Sequence, residues 1–320
     1  MHPTLSVIAF TTLAGTGYGL WFLTGLRLLT VTQVDLAGGR AGLLAMLLAG
    51  AVLTTAGLLA SLAHLGQPQR AWRALSQWRS SWLSREGIAA LACFPFALAA
   101  GWLVWTGTGS MAALHAGGAV LAALALITVY CTARIYTTLR TIRAWHNRYV
   151  LPGYLLLGLH GGTLCAWLLA ATGLDMGLGT RALAALVVLT GTAVPLFKHA
   201  YWRFLDGGRH PASPESATGL GRHGRVRAFE APHTEANFVT REMGFVLARR
   251  HAARLRHAVL VLGGGVPLLA ALTGLAAPAL ALPAAGVATF SGLVGIFVER
   301  WLLFAEARHA VMLYYGAARA

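Results

Sequence analysis

Charge is what this sequence has least of. Only 11% of the 320 residues are Asp, Glu, Lys or Arg, against about 25% in an ordinary soluble domain, so a water-facing globular surface is excluded. Cysteine is equally scarce: Cys93, Cys131 and Cys165 stand singly in apolar runs, with no CxxC or CxxxC spacing. That excludes a cubane iron–sulfur cluster ligated by this chain alone, and packing as small hydrophobes accounts for all three thiols. HExxH is missing and no paired aspartates lie inside apolar runs, which removes the readings as an intramembrane metalloenzyme or hydrolase; no metal site is expected. The N-terminus lacks the basic leader and cleavage site of a signal peptide, and its apolar stretch is too long for one, so it reads as a first membrane helix.

What is there in quantity is apolar sequence, 57% of the chain. Eight runs reach the roughly 20 residues that span a bilayer as helix, near 6–28, 40–63, 87–106, 111–133, 150–172, 181–201, 257–277 and 280–304. Helix is the form they must take, because lipid cannot satisfy open backbone groups and the runs lack barrel alternation. The expected fold is all-α, a polytopic membrane protein with eight transmembrane helices forming a single membrane domain over residues 1–320. Abundant glycine within the runs fits close helix packing.

The formal charge of +15 is not spread as a nucleic-acid surface would require, and no nucleic-acid partner is expected. Arginines crowd the connections after helices two, four, six and eight, while the other side holds little beyond Arg27, Arg40 and Arg181. By the positive-inside rule the arginine-rich side is cytoplasmic, with both termini on it and the chain in the cell's inner membrane. The one large connection, residues 203–256, divides in two. DGGRHPASPESATGLGRHGRVR reads as a flexible strip. The stretch following it, with Thr234 as N-cap and Phe238, Glu242, Phe245 and Arg249 at helical spacing, reads as an interfacial helix that lies on anionic lipid or docks a soluble partner.

Chemistry gathers in one short connection, SLAHLGQPQRAWRALSQWRSSWLSREG, Ser61–Gly87. His64 closes helix two and Glu86 opens helix three, 22 residues later, so both belong at similar depth near the arginine-rich boundary. An ionisable residue at that depth is costly unless it serves a cavity or a partner. A histidine and a poorly hydrated carboxylate with aromatics nearby suit quinone chemistry, which needs hydrogen-bond partners at two ring oxygens and an acceptor for each proton. Arg70 and Arg85 would tune the carboxylate; Trp72, Trp78 and Trp82 would offer packing surfaces or mark the membrane interface. Helix-end roles compete: Glu86 in the first turn behind a Ser84 cap, and His64 at the opposite dipole end. Downstream, Glu299, Arg300, Glu306 and Arg308 suggest charge pairs between helical neighbours.

HLGQPQRAW, LSREG and YCTARIYTTLRTIRAW together resemble the membrane-anchor subunits of dimethyl sulfoxide reductase-type molybdoenzymes, and the likeness runs over nearly the whole chain. The long loop with PHTEANFVTREMG looks like the branch that includes anchors of cytoplasm-facing sulfite dehydrogenases. The resemblance implies quinone binding at His64 and Glu86, with Arg134 and Tyr136 near the site. It also implies two partners, a molybdopterin catalytic subunit and a ferredoxin-like iron–sulfur subunit docked on the arginine-rich face. The expected ligand is ubiquinone or menaquinone, in sulfite oxidation or anaerobic respiration, with the terminal chemistry outside this chain. Two other readings compete. A haem b anchor would need facing histidines, with His64, His160, His199, His115 and His257 as candidates; haem is not expected in this branch. A transporter would need repeats and midplane polar groups, and the sequence shows no convincing repeat.

Overall fold

In the computed structural model, residues 4–63, 65–174, 177–207, 212–227, 229–230, 251–315 and 317 are described. They are helical throughout the membrane region, and eight helices are long and apolar enough to cross a bilayer. We number them α1 (Leu5–Thr30), α2 (Gln33–Leu62), α3 (Trp82–Thr106), α4 (Met111–Thr137), α5 (Val150–Ala171) and α6 (Thr180–Asp206). A short α7 (Pro214–Thr218) follows. The seventh span is then built from α8 (Ala252–Leu260), one π turn (Val261–Gly265) and α9 (Val266–Ala276), and the eighth from α10 (Ala281–Ala305).

Several helices outrun their apolar runs at the arginine-rich face. Helix α3 starts at Trp82 because Ser81, not Ser84, is its cap: the Ser81 hydroxyl accepts the Ser84 amide N–H at 3.4 Å. The Ser84 hydroxyl turns instead to the carbonyl of Ala74 in the preceding 3₁₀ segment, Pro68–Gln77, fastening that loop to the helix. At the far end α3 stops at Gly107, whose φ of 67° gives a left-handed C-cap, and Ser110 restarts the chain as the N-cap of α4. The opening part of the 203–256 loop holds structure of its own, since Ser213 and Ser216 close a capping box around α7. The expected helix after Thr234 lies outside the described residues.

Between lipid-embedded helices the driving force is contact and hydrogen bonding, not transfer out of water. Helix α1 is the hub, packed on α2, α4, α5 and α10. Its crossing with α5 is made by glycine: a Cβ on Gly19 would meet the Gly158 carbonyl, and one on Gly162 would meet the Gly19–Leu20 backbone. Trp21, fully buried, donates its indole N–H to the Leu47 carbonyl at 3.0 Å and so ties α1 to α2. The Gly264 position of the π turn admits the ring of Pro195 in α6, where a Cβ would stand 2.6 Å from the proline Cδ. On the arginine-rich face, Trp145 donates to the Leu303 carbonyl (2.8 Å) and Tyr201 to the Ala144 carbonyl (2.9 Å). These bonds staple the α4–α5 connection across the ends of α6 and α10.

Candidate functional site

Glu86 is the fifth residue of α3, about 6 Å along the axis from its start at 1.5 Å per residue. Its side chain is only 4% exposed. No arginine or lysine pairs with it among the described residues; its partner is the Thr132 hydroxyl of α4, 2.5 Å from Oε1. The same hydroxyl also lies 3.0 Å from the Thr128 carbonyl. A hydroxyl has one proton and two lone pairs. Thr132 can therefore donate to a Glu86 carboxylate, or bond back to Thr128 and accept from a Glu86 carboxylic acid. The pair suits either protonation state by a turn of one hydroxyl.

Above this carboxyl lies a cationic and aromatic layer. The Trp82 indole is flanked by two guanidinium groups, Arg85 at 4.4 Å and Arg134 at 5.1 Å from the ring centre, with Tyr130 edge-on at 5.9 Å. Arg85 does not reach for Glu86; Nε donates to the Trp78 carbonyl at 2.9 Å and Nη2 to the Arg79 carbonyl at 2.6 Å. The Arg134 Nε is buried without a protein partner. Arg70 and Trp72 sit exposed on the 3₁₀ segment, and Trp78 sits exposed at its end, with Arg73 over the Trp72 ring and Arg79 over that of Trp78. Of the residues singled out in the sequence, Glu86, Trp82, Arg85 and Arg134 thus come together. Tyr136 belongs to an adjoining aromatic cluster, stacked on Tyr154 at 5.7 Å and edge-on to Trp145 and Phe304. His64 lies outside the described residues.

Two spaces open inward of Glu86. One is an apolar crevice of about 250 Å³ between α1, α4 and α5, walled by Tyr18, Phe22, Ala125, Val129 and Leu155 among others. The other is a small chamber of about 20 Å³ among α1, α4, α5 and α10, its wall mostly apolar (Phe10, Val129, Leu157 and Ile296) but reached by Thr12, Thr16, Tyr18, Thr132 and Arg300. Tyr18 borders both. Behind the chamber, Glu299 of α10 accepts from Lys198 of α6 at 2.6 Å and from Arg300 at 2.6 Å, all three side chains buried. Nearer the surface, Arg256 of α8 pairs with Glu306 (2.9 Å) and Asp206 (2.6 Å).

These ion pairs correct the expectation of charge pairs confined to α10. Glu299 does bond its neighbour Arg300, but its second partner, like the partner of Glu306, comes from another helix. Thr132, Tyr18 and Lys198 escaped the sequence reading. Lys198 carried a signal: it is the chain's single lysine, in an otherwise apolar run, TAVPLFKHAYW.

His160 is buried on α5, its Nδ1 2.9 Å from the Thr190 hydroxyl of α6, the packing role that a lone membrane histidine would fill. His199 is exposed on α6, nine residues beyond Thr190, or about 14 Å along the helix. The two imidazoles do not face one another.

Eight helices with their ionisable groups gathered at one end define a polytopic membrane subunit organised around a single face. The family model described as DMSO reductase anchor subunit (DmsC) matches residues 1–316, and the chain belongs to that family of membrane anchors. It is 34% identical to the C subunit of the sulfite dehydrogenase of Allochromatium vinosum, over 98% of this chain and 99% of the relative. It is 33% identical to the C component of the anaerobic dimethyl sulfoxide reductase of Escherichia coli over 140 residues, covering 43% of this chain and 48% of that one.

Proposed function

We propose that this anchor is quinone-reactive and passes electrons between the membrane quinone pool and a ferredoxin-like iron–sulfur subunit of a molybdopterin oxidoreductase, docked on the arginine-rich, cytoplasmic face of the inner membrane. The observation that carries the reading is Glu86: a carboxyl buried one turn below that face, without a cation, held by a hydroxyl that fits both its protonation states.

The surroundings suit a quinone. The apolar crevice between α1, α4 and α5 has the lining an isoprenoid tail requires, and Trp82 offers a ring surface. Arg134 Nε and the Tyr18 hydroxyl are buried donors without a protein partner, the kind of group that a ring oxygen would satisfy. A quinone carries two electrons and two protons. Glu86 holds or takes one of the protons at its carboxyl while Thr132 follows by turning its hydroxyl. His64 hydrogen-bonds a ring oxygen, and Arg70 and Arg85 shape the field on the loop side. Exposed arginines on the 3₁₀ segment give the electrostatic complement that an iron–sulfur partner would meet.

The full-length likeness to a sulfite dehydrogenase subunit favours quinone reduction, with both electrons arriving from sulfite through the partner subunits and both protons taken up by the quinone. Titration of the purified complex with a fluorescent quinol-analogue inhibitor tests the site. Stoichiometric binding is expected in the wild type and its loss in Glu86→Gln and His64→Ala, with the complex still assembled. Unchanged binding in both variants would return these residues to helix-end roles.

A further inference from the structure

The end of the bundle opposite the arginine-rich face carries three arginines, and they are placed differently. Arg27 is buried, with Nη1 donating to the Thr30 hydroxyl at 3.2 Å and the guanidinium against Gly177. Arg40 lies against Gly107, the C-cap of α3, where a cation complements the negative end of the helix dipole. Arg181 is the second residue of α6. It is exposed and has no hydrogen bond, ion pair or ring contact among the described residues. In the first turn of a helix a cation meets the positive end of the dipole, the unfavourable arrangement. Nothing on α6 offsets it: the N-cap is Gly179, which has no side chain to offer, and the first turn holds no acidic residue. The leading amide N–H groups, which no helix satisfies internally, therefore lack a side-chain cap as well.

Beside this turn a space of about 500 Å³ opens between the ends of α5 and α9 and the starts of α6 and α10, within the roughly 300–1,000 Å³ of small-molecule sites. Gly179, Thr180 and Arg181 stand in its wall, and most of the rest is small and apolar, with Ala170, Ala171, Ala184 and Ala281 among it. Deeper along α5 lies Trp167, 0% exposed, four residues or about 6 Å before the helix ends. Its ring packs over Gly274, where a Cβ would stand 2.8 Å from Cζ2. The indole Nε1 is buried without a protein partner, and a buried donor ordinarily has an acceptor. The space thus has a cationic mouth, an apolar interior and one unsatisfied donor in its floor.

We propose that this space binds an anionic phospholipid from the leaflet opposite the arginine-rich face. The phosphate sits at the first turn of α6, as anions do at helix N-termini, so that the Arg181 guanidinium and the uncapped amides share one anion instead of opposing one another. An acyl chain lies along the alanine wall, and an ester carbonyl accepts from Trp167. Charge and shape together select this occupant. A free phosphate would leave the apolar interior unfilled, and a quinone tail would leave the cationic mouth without a counter-charge. Bound there, the lipid bridges the α5–α6 pair to the α9–α10 pair. The site lies at the other end of the bundle from Glu86 and stands independently of the quinone reading.

The test is photolabelling of the purified complex in phosphatidylcholine nanodiscs doped with phosphatidylglycerol that carries a diazirine on one acyl chain, with labelled peptides mapped by mass spectrometry. Label is expected within residues 167–184 and 274–281, chased by unlabelled phosphatidylglycerol but not by added phosphatidylcholine, inorganic phosphate or a quinol-analogue inhibitor. Gly179→Asp puts a carboxylate where the phosphate would sit. The position has room, since a Cβ there meets nothing within 4 Å, and aspartate is a favoured N-cap. Arg181→Gln removes the cation. Each variant is expected to lose label about tenfold or more, the equivalent of one charge-assisted hydrogen bond. Label that survives in both variants, or that phosphatidylcholine chases equally well, overturns the site. Chase by inorganic phosphate would assign a free anion and chase by the inhibitor a quinone, and either result overturns the phospholipid. Should one variant fail to assemble, the other decides.

Discussion

Replacing Glu299 by glutamine should damage this protein far more than replacing Lys198 by methionine, although each substitution breaks the same 2.6 Å contact. At an effective dielectric of about 20, two unit charges 2.6 Å apart attract by roughly 6 kcal/mol, and Glu299 makes two such contacts. Most of that attraction offsets the cost of burying the three charges. The difference between the variants lies in what remains. Glu299→Gln leaves Lys198 and Arg300 as two buried cations with no anion, and removing the compensating partner of a buried pair costs about 3–5 kcal/mol. Lys198→Met leaves Glu299 and Arg300, a neutral pair still bonded at 2.6 Å. It forfeits one charged hydrogen bond but also removes a buried ammonium, a net loss of about 1 kcal/mol. The assay is the SDS-unfolding midpoint of the detergent-solubilised complex, followed by tryptophan fluorescence. A Lys198→Met complex that unfolds at or below the midpoint of Glu299→Gln would refute the charge count on which the reasoning stands.

Gly162→Ala should separate α1 from α5, because the added methyl would run into the Gly19–Leu20 backbone and main chain cannot step aside as a side chain can; overpacking of this kind costs about 1–3 kcal/mol or more, read as lowered yield and midpoint, whereas Gly117→Ala, with nothing within 4 Å, should be silent. At the arginine-rich surface, His309 accepts the Val311 amide N–H at Nδ1 (3.0 Å) and meets Thr141 at Nε2 (3.1 Å), and burial holds its pKa below the usual histidine value. A depressed folded value means that the stability it contributes is present above pH ~6.5 and lost as pH falls through the lower folded value. Hydrogen exchange at the Ala310 amide, bonded to the Thr141 carbonyl, should therefore accelerate on mild acidification. His309→Gln should flatten that response, and an exchange rate without pH dependence beyond the intrinsic one would contradict the assignment.

Much of this architecture was legible in the chain because membrane insertion is a one-dimensional problem. Each span must be long and apolar enough by itself, so all eight appear as runs in the sequence, and the boundaries missed are those where a helix continues past its apolar run: at the Ser81 cap of α3, in the polar last turn of α6 to Asp206, and in the first turns of α2, which begins at Gln33 and not near residue 40. Glu86 and Trp82 drew notice for a related reason, since polar and amphipathic side chains beside apolar runs are rare, whereas Arg134 and Tyr136 were marked by the family resemblance alone. Thr132 escaped notice, because a threonine in a membrane helix ordinarily bonds its own backbone, as Thr24 and Thr54 do here. The direction of Arg85 was also out of reach, since its choice between Glu86 and two loop carbonyls depends on where the Pro68–Gln77 segment folds back.

By itself the sequence determined that the chain is an all-helical polytopic membrane protein, where its helices run and which face gathers the arginines, since those follow from composition and order along the chain. Only the tertiary structure decided that Glu86 meets Thr132 and that Glu299 of α10 finds Lys198 of α6. It alone placed a small chamber, walled in part by Thr132 and Arg300, between the two. Partners 46 and 101 residues apart are brought together by the rotation and packing of their helices, which leave no periodic trace in the order of residues.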